Sequence, residues 1–133
     1  MPIVEGMADD LANEALKNVD MSPRPTTWFS ALFSASPSAD GSGGTELAAA
    51  NGYAREAITW GAVSGGGVTN SVIITYTASG AAWTTASHAV IFSLVTAGVR
   101  YFWNALTASV TVNDGESAEF AVGALEVDFL PGV

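Results

Sequence analysis

The sequence predicts an all-β domain: a two-sheet sandwich of jelly-roll type with about seven or eight strands, or alternatively a closed barrel, carrying an N-terminal amphipathic helix. Three observations predict it. From Thr27 onward apolar residues run in short segments with a period of two, as strands require. Turns rich in glycine separate these segments at fairly even spacing. Apolar residues at helical spacing are confined to the first segment of the chain.

In that segment Val4, Met7, Leu11, Ala15 and Val19 recur at intervals of three and four, with Ala8, Ala12 and Leu16 widening the stripe. Pro2 suits a first helical turn, and Glu5, Asp9 and Asp10 complement the positive end of the helix dipole. Pro23 and Pro25 end the helix, which is expected over residues 3–19. Residues 1–26 thus read as a helix and loop, either packed on their own domain or acting as a docking arm, and residues 27–133 as the sandwich.

Trp28 to Phe33 alternate as a strand with both faces apolar. Residues 34–52 read as a long loop containing Pro37, Asp40-Gly41 and Gly43-Gly44. Strands are expected over 53–60 and 68–77, separated by the Gly65-Gly66-Gly67 turn. Residues 86–93 and 99–106 flank the short Leu94–Gly98 connection as a hairpin. Residues 109–112, 116–120 and 125–129 complete the set, with Asn113-Asp114-Gly115 as the sharpest turn signal.

Charge narrows the function. Among 133 residues there are 4 Lys+Arg against 13 Asp+Glu, a net charge of −9, which argues against nucleic acid or an anionic membrane as partner. Charged residues are only 13% and hydrophobic residues 49%, so much of the surface is expected to face other proteins. The apolar residues after Met1 are broken by Glu5, Asp9, Asp10 and Glu14, so they do not read as a secretory signal. No apolar run approaches a membrane span. Zero cysteines remove thiol chemistry and Cys-ligated zinc, and the single histidine, His88, removes a His-pair metal site within one chain.

Catalytic patterns are not found. No carboxylate lies between Glu56 and Asp114, where Arg100 is the only formal charge, and glycosidase chemistry needs two acids flanking one bond. A Ser-His-Asp triad would have to recruit His88, and the Gly-x-Ser-x-Gly elbow is absent. His88 therefore reads as a strand or interface residue. Gly65–Gly67 lacks the Lys and Ser/Thr of a phosphate loop, and Asp40, Ser42, Gly44 and Glu46 fail the calcium-loop template. Trp28, Trp60, Trp83 and Trp103 suit core and interface duty, or a carbohydrate platform. No catalytic residue, cofactor or metal is assigned. Arg55 and Arg100 sit inside apolar strand patterns, so each must meet a carboxylate or backbone carbonyls, or point to a rim. For Arg55 the alternatives are a local pair with Glu56 or Glu46 and a pair across an interface.

The order of motifs also carries a resemblance. Trp28-Phe-Ser-Ala-Leu-Phe33, Gly44-Thr45-Glu46 and Gly52-Tyr53-Ala54-Arg55-Glu56-Ala57 resemble a family of small tailed-bacteriophage virion proteins. The similarity runs on through Asn70 to Tyr76, Trp83, Thr85, His88, Ala105-Leu106, Val112 to Glu116 and Gly123-Ala124-Leu125. It departs at Thr84, where the family often has Gly, and in the 94–98 turn, which the family makes more polar. Such proteins are labelled tail fibre, minor tail or head decoration proteins, which implies a structural virion role without catalysis.

The leading expectation is therefore a capsid decoration (cement) protein, a homotrimer on the capsid exterior bound to the major capsid protein. A tail-tip or tail-fibre-associated protein contacting the host surface is the alternative, with a carbohydrate-binding module as a third reading. Candidate interface residues are Val4, Met7, Leu11, Tyr53, Arg55, Trp83, His88 and Arg100. The N-terminal helix or the 34–52 loop is the candidate gripping arm.

Overall fold

The computed structural model describes residues 1, 3–21 and 24–129, so the roles expected of Pro2 and Pro23 at the helix ends lie outside them. Among these residues there is one helix, α1 (Glu5–Lys17), followed by nine strands. In chain order the strands are β1 (Trp28–Pro37), β2 (Gly43–Glu46), β3 (Glu56–Ile58), β4 (Gly67–Thr69), β5 (Ile74–Thr77), β6 (Ala86–Phe92), β7 (Arg100–Val110), β8 (Ser117–Phe120) and β9 (Glu126–Asp128).

The helix is two residues shorter at each end than the expected span 3–19. Glu5 lies in the first turn and Lys17 in the last, matching the dipole at both ends. Asn18 ends it in the left-handed conformation, with its N–H bonded to the Asn13 carbonyl. The first half is anchored: Val4 and Met7 are buried, the Val4 N–H donates to the Tyr101 carbonyl at 3.0 Å, and Ile3 bridges Phe102. The second half lifts away, leaving Leu16 84% exposed.

The all-β expectation holds, but the strands form three antiparallel sheets where two were expected. The largest has five strands in the order β2-β1-β6-β7, with β3 also paired to β1. The smaller sheets are the pairs β4–β9 and β5–β8. Strand β1 can occupy the middle because both its faces are apolar: Ala31, Leu32 and Phe33 are all essentially inaccessible. Leu32 and Ile91 face the main core, which includes Tyr53, Ile74, Tyr76, Trp83, Leu125 and Val127. Ala31, Phe33, Val90 and Phe92 form a second cluster.

Several segment boundaries differ from the expectation, each for a local reason. The 34–52 stretch is not one long loop: β1 continues to Pro37 and turns back as β2. The turn is held by the Asp40 carboxylate, which accepts bonds from the Ser42 N–H (2.9 Å) and hydroxyl (2.7 Å). The strand expected over 53–60 is reduced to β3, because Tyr53 leaves the sheet edge to enter the core. The strand expected over 68–77 is cut in two by Asn70. Fully buried, Asn70 donates through Nδ2 to the Val72 (2.8 Å) and Ala121 (3.0 Å) carbonyls and accepts the Leu125 N–H at Oδ1 (2.9 Å). Strands β4 and β5 can then pair with different partners. The 86–106 hairpin forms as expected, although β7 runs on to Val110 and absorbs part of the strand expected at 109–112. The Asn113–Gly115 turn forms too, but β8 leaves it to pair with β5.

Candidate functional site

The motif Gly52-Tyr53-Ala54-Arg55 builds the most connected polar node in the described residues. Gly52 has φ +83°, and a Cβ there would meet the Thr77 carbonyl at 2.7 Å, so only glycine fits. The turn sends Tyr53 inward, into the gap between β2 and β3 along the edge of β1. There the phenol oxygen accepts the Leu32 N–H at 3.0 Å and lies 3.1 Å from Glu46 Oε1, to which it can donate. Burial raises the Tyr53 phenol above its ordinary range, so this donor stays protonated.

Arg55 completes the node. Its Nε and Nη2 donate to the two Glu46 carboxylate oxygens at 2.8 and 2.7 Å. Its Nη1 donates to the carbonyls of Leu94 (2.9 Å) and Ala97 (2.6 Å) in the β6–β7 turn. The guanidinium carbon stands 3.4 Å from the Phe92 ring centroid, and the side chain is only 8% exposed. Of the sequence alternatives, the local pair with Glu46 is the one formed. Arg100 does the same from the other side. Its Nη1 donates to the carbonyls of Gly41 (2.9 Å) and Gly43 (2.5 Å), and its guanidinium lies 5.0 Å from the Phe33 ring centroid and 5.6 Å from that of Phe92. Two cations thus cover the second apolar cluster and tie two turns to it, each worth on the order of 1–2 kcal/mol as a cation–π contact alone.

The other expected residues lie elsewhere. Val4, Met7, Tyr53 and Trp83 point into the chain's own core, and Leu11 is half-buried against it. The Trp83 Nε1–H donates to the Asn51 carbonyl at 2.9 Å and its ring meets Tyr53 edge-on. His88 is half-buried on β6, with Nδ1 2.8 Å from the Ser87 hydroxyl and its ring tilted against Trp103. Neither partner is an acid, so the structure does not assemble a triad around it. Trp28 and Trp60 share a groove of about 340 Å³, while Trp83 and Trp103 lie elsewhere, so the four form no single platform.

Among the described residues no three or more His, Asp or Glu side chains gather as a metal site. Glu126 and Asp128 line one opening of about 370 Å³, but they sit two residues apart on β9 and form one wall, not the two sides of a scissile bond. What the surface does offer is aliphatic. Val63, Val72, Ile73, Leu94, Val95, Val99 and Val122 are each about half or more exposed. Val72, Ile73 and Val122 flank the Asn70 node, and Leu94, Val95 and Val99 form the turn that Arg55 holds. Strand periodicity does not single these residues out, because they lie in turns. The charge-free stretch from residue 57 to 113, broken only by Arg100, is the signal that contains most of them.

The chain matches the family described as Podophage GP4 fiber I protein gp80 over residues 3–128. It belongs to that family. No curated protein matches it. The family is one of tailed-phage virion proteins and carries a fibre label, in keeping with the resemblance in the motifs. The matched region takes in the helix, all nine strands described, both guanidinium caps and the Asn70 node. No helix among the described residues is long and apolar enough to cross a membrane.

Proposed function

We propose that the chain is a non-enzymatic component of a podophage tail fibre, built to be packed against neighbouring virion proteins. The observation that carries this reading is the set of exposed aliphatic side chains on turns whose backbone is rigidly held from within. Val72, Ile73 and Val122 are fixed by Asn70, and Leu94, Val95 and Val99 by Arg55. Preorganised, uncharged turns of this kind can be covered by a partner with little ordering cost and without desolvating ions. The family description favours the fibre over head decoration, which was the leading expectation from sequence. Self-association through these turns, with three copies as the unit, is part of the proposal.

Gold-labelled antibody against the chain, applied to intact particles, tests the location. Label confined to the tail supports the reading; label spread over the head shell supports decoration instead. Native mass spectrometry of the purified chain tests the trimer, and a monomer at micromolar concentration counts against it.

A further inference from the structure

The five-stranded sheet has two unequal edges. One is made of β2 and β3, which are short and carry Glu46 and Glu56. The other is β7, an eleven-residue strand with no Lys, Glu, Asp or Pro and one Arg at its start. Residues 3 and 4 cover the first part of that edge, through the Ile3↔Phe102 bridge and the Val4 N–H to the Tyr101 carbonyl. By the two-residue period of a strand, Ala105 turns its backbone to the same outer side as Tyr101. Beyond it the ladder to β6 jumps from His88↔Ala105 to Ala86↔Val110, so Leu106, Thr107, Ala108 and Ser109 stand opposite Ser87 alone. Asn104, Ala105, Thr107, Ala108 and Ser109 are exposed. Natural proteins usually block such an edge with charge, proline, a bulge or a cover, and of these β7 carries only the register jump past Ala105 and the cover of its first part.

The space beside this edge is shaped for an extended chain. Two openings, of about 270 and 370 Å³, share Leu106, Thr107 and Phe120, and so run along the strand as one groove. Its floor is apolar, with Leu106 and Phe120 half-buried. Its far wall carries Glu119 in one opening and Glu126 and Asp128 in the other, which Met1 also lines, and no Lys or Arg lines either.

We infer that this groove takes a β-strand from another virion protein, added antiparallel or parallel to β7 over residues 105–109. The strand's alternate side chains are apolar, towards Leu106 and Phe120, and basic, towards the acidic wall. Backbone groups on this edge, left open among the described residues, supply the hydrogen bonds. A second copy of this chain is a poor occupant, because Arg55 and Arg100 are consumed internally and its other two cations, Lys17 and Arg24, lie in or beside the N-terminal helix region. This surface rests on the reading of the chain as an assembling virion component, yet it is tested separately from the location on the particle.

The test is amide hydrogen exchange, read by NMR on the full chain, with and without an end-capped peptide of about eight residues alternating Val and Lys. The expected result is exchange slowed by about tenfold or more at amides within 105–109. The Val/Glu peptide of the same length, and the Val/Lys peptide with alternate amides methylated, are expected to leave those amides unchanged. No slowing, slowing only on the β2–β3 edge, or equal slowing by the Val/Glu or methylated peptide overturns the inference. Slowing that appears without peptide as protein concentration rises also overturns it, since the occupant is then a second copy.

Discussion

The Arg55 guanidinium stacks 3.4 Å from the Phe92 ring centroid while pairing bidentately with Glu46, joining a strand edge, an apolar cluster and the β6–β7 turn in one residue. A buried pair broken on one side is costly because the remaining partner is left uncompensated. Arg55→Ala is expected to destabilise the fold by about 3 kcal/mol, and Arg55→Lys, which keeps charge but loses the bidentate fork and the stacking, by about half of that. Lys17→Ala, on the helix surface, is expected to stay within about 0.5 kcal/mol. Urea unfolding followed by Trp fluorescence checks all three, and equal effects for Arg55 and Lys17 would remove Arg55 from the account.

Asn70 gives a second sharp expectation. Its side chain makes three bonds to backbone groups from a fully buried position, so Asn70→Ala orphans two carbonyls and one N–H. A loss of about 3 kcal/mol is expected, larger than for Ser71→Ala beside it. A loss under about 1 kcal/mol would mean that the break between β4 and β5 is held by other contacts.

Gly52→Ala tests the turn that delivers Tyr53. The positive φ and the 2.7 Å approach to the Thr77 carbonyl both oppose a side chain, so the expected cost is about 2 kcal/mol or more. Gly115→Ala, at φ +80° but with open space around it, is expected to cost less. Equal costs would reduce the Gly52 effect to backbone strain alone.

Alkaline pH supplies a test without mutation. All three tyrosines, Tyr53, Tyr76 and Tyr101, are raised above the ordinary value of 10.0, in each case chiefly by burial. An acid whose folded value is raised contributes stability that is fully present below its unfolded value and is lost as pH climbs past it. Stability is therefore expected to fall above pH 10, with phenolate absorbance rising together with the loss of circular dichroism. Phenolate formation near pH 10 in a chain that keeps its fold would contradict the burial of Tyr53 and Tyr76.

Much of the fold was legible because its signals are local. Period-two patterning located most strands, and the commitment of both strand arginines followed from charge placed in apolar runs. What was not legible depended on long-range partners. Asn70 sits in a β-branched run, and only its bonds to residues near 121 and 125 reveal why the run breaks. The β1–β2 hairpin hid in a Ser/Gly/Ala stretch because a Gly-rich strand has no alternating pattern to read. The candidate site was less legible than the fold. Tyr53 and Trp83, candidate interface residues from sequence, are buried in the chain's own core, where large residues in a strand pattern commonly lie. Small aliphatic residues in turns, which sequence weights lightly, are the exposed ones.

The fibre assignment itself meets its most direct test in stoichiometry. Quantitative mass spectrometry of purified particles, with the major capsid protein as internal standard, is expected to find only a small number of copies of this chain per particle. A count in the hundreds, matching the lattice of the head, would contradict the fibre reading and return the chain to the shell.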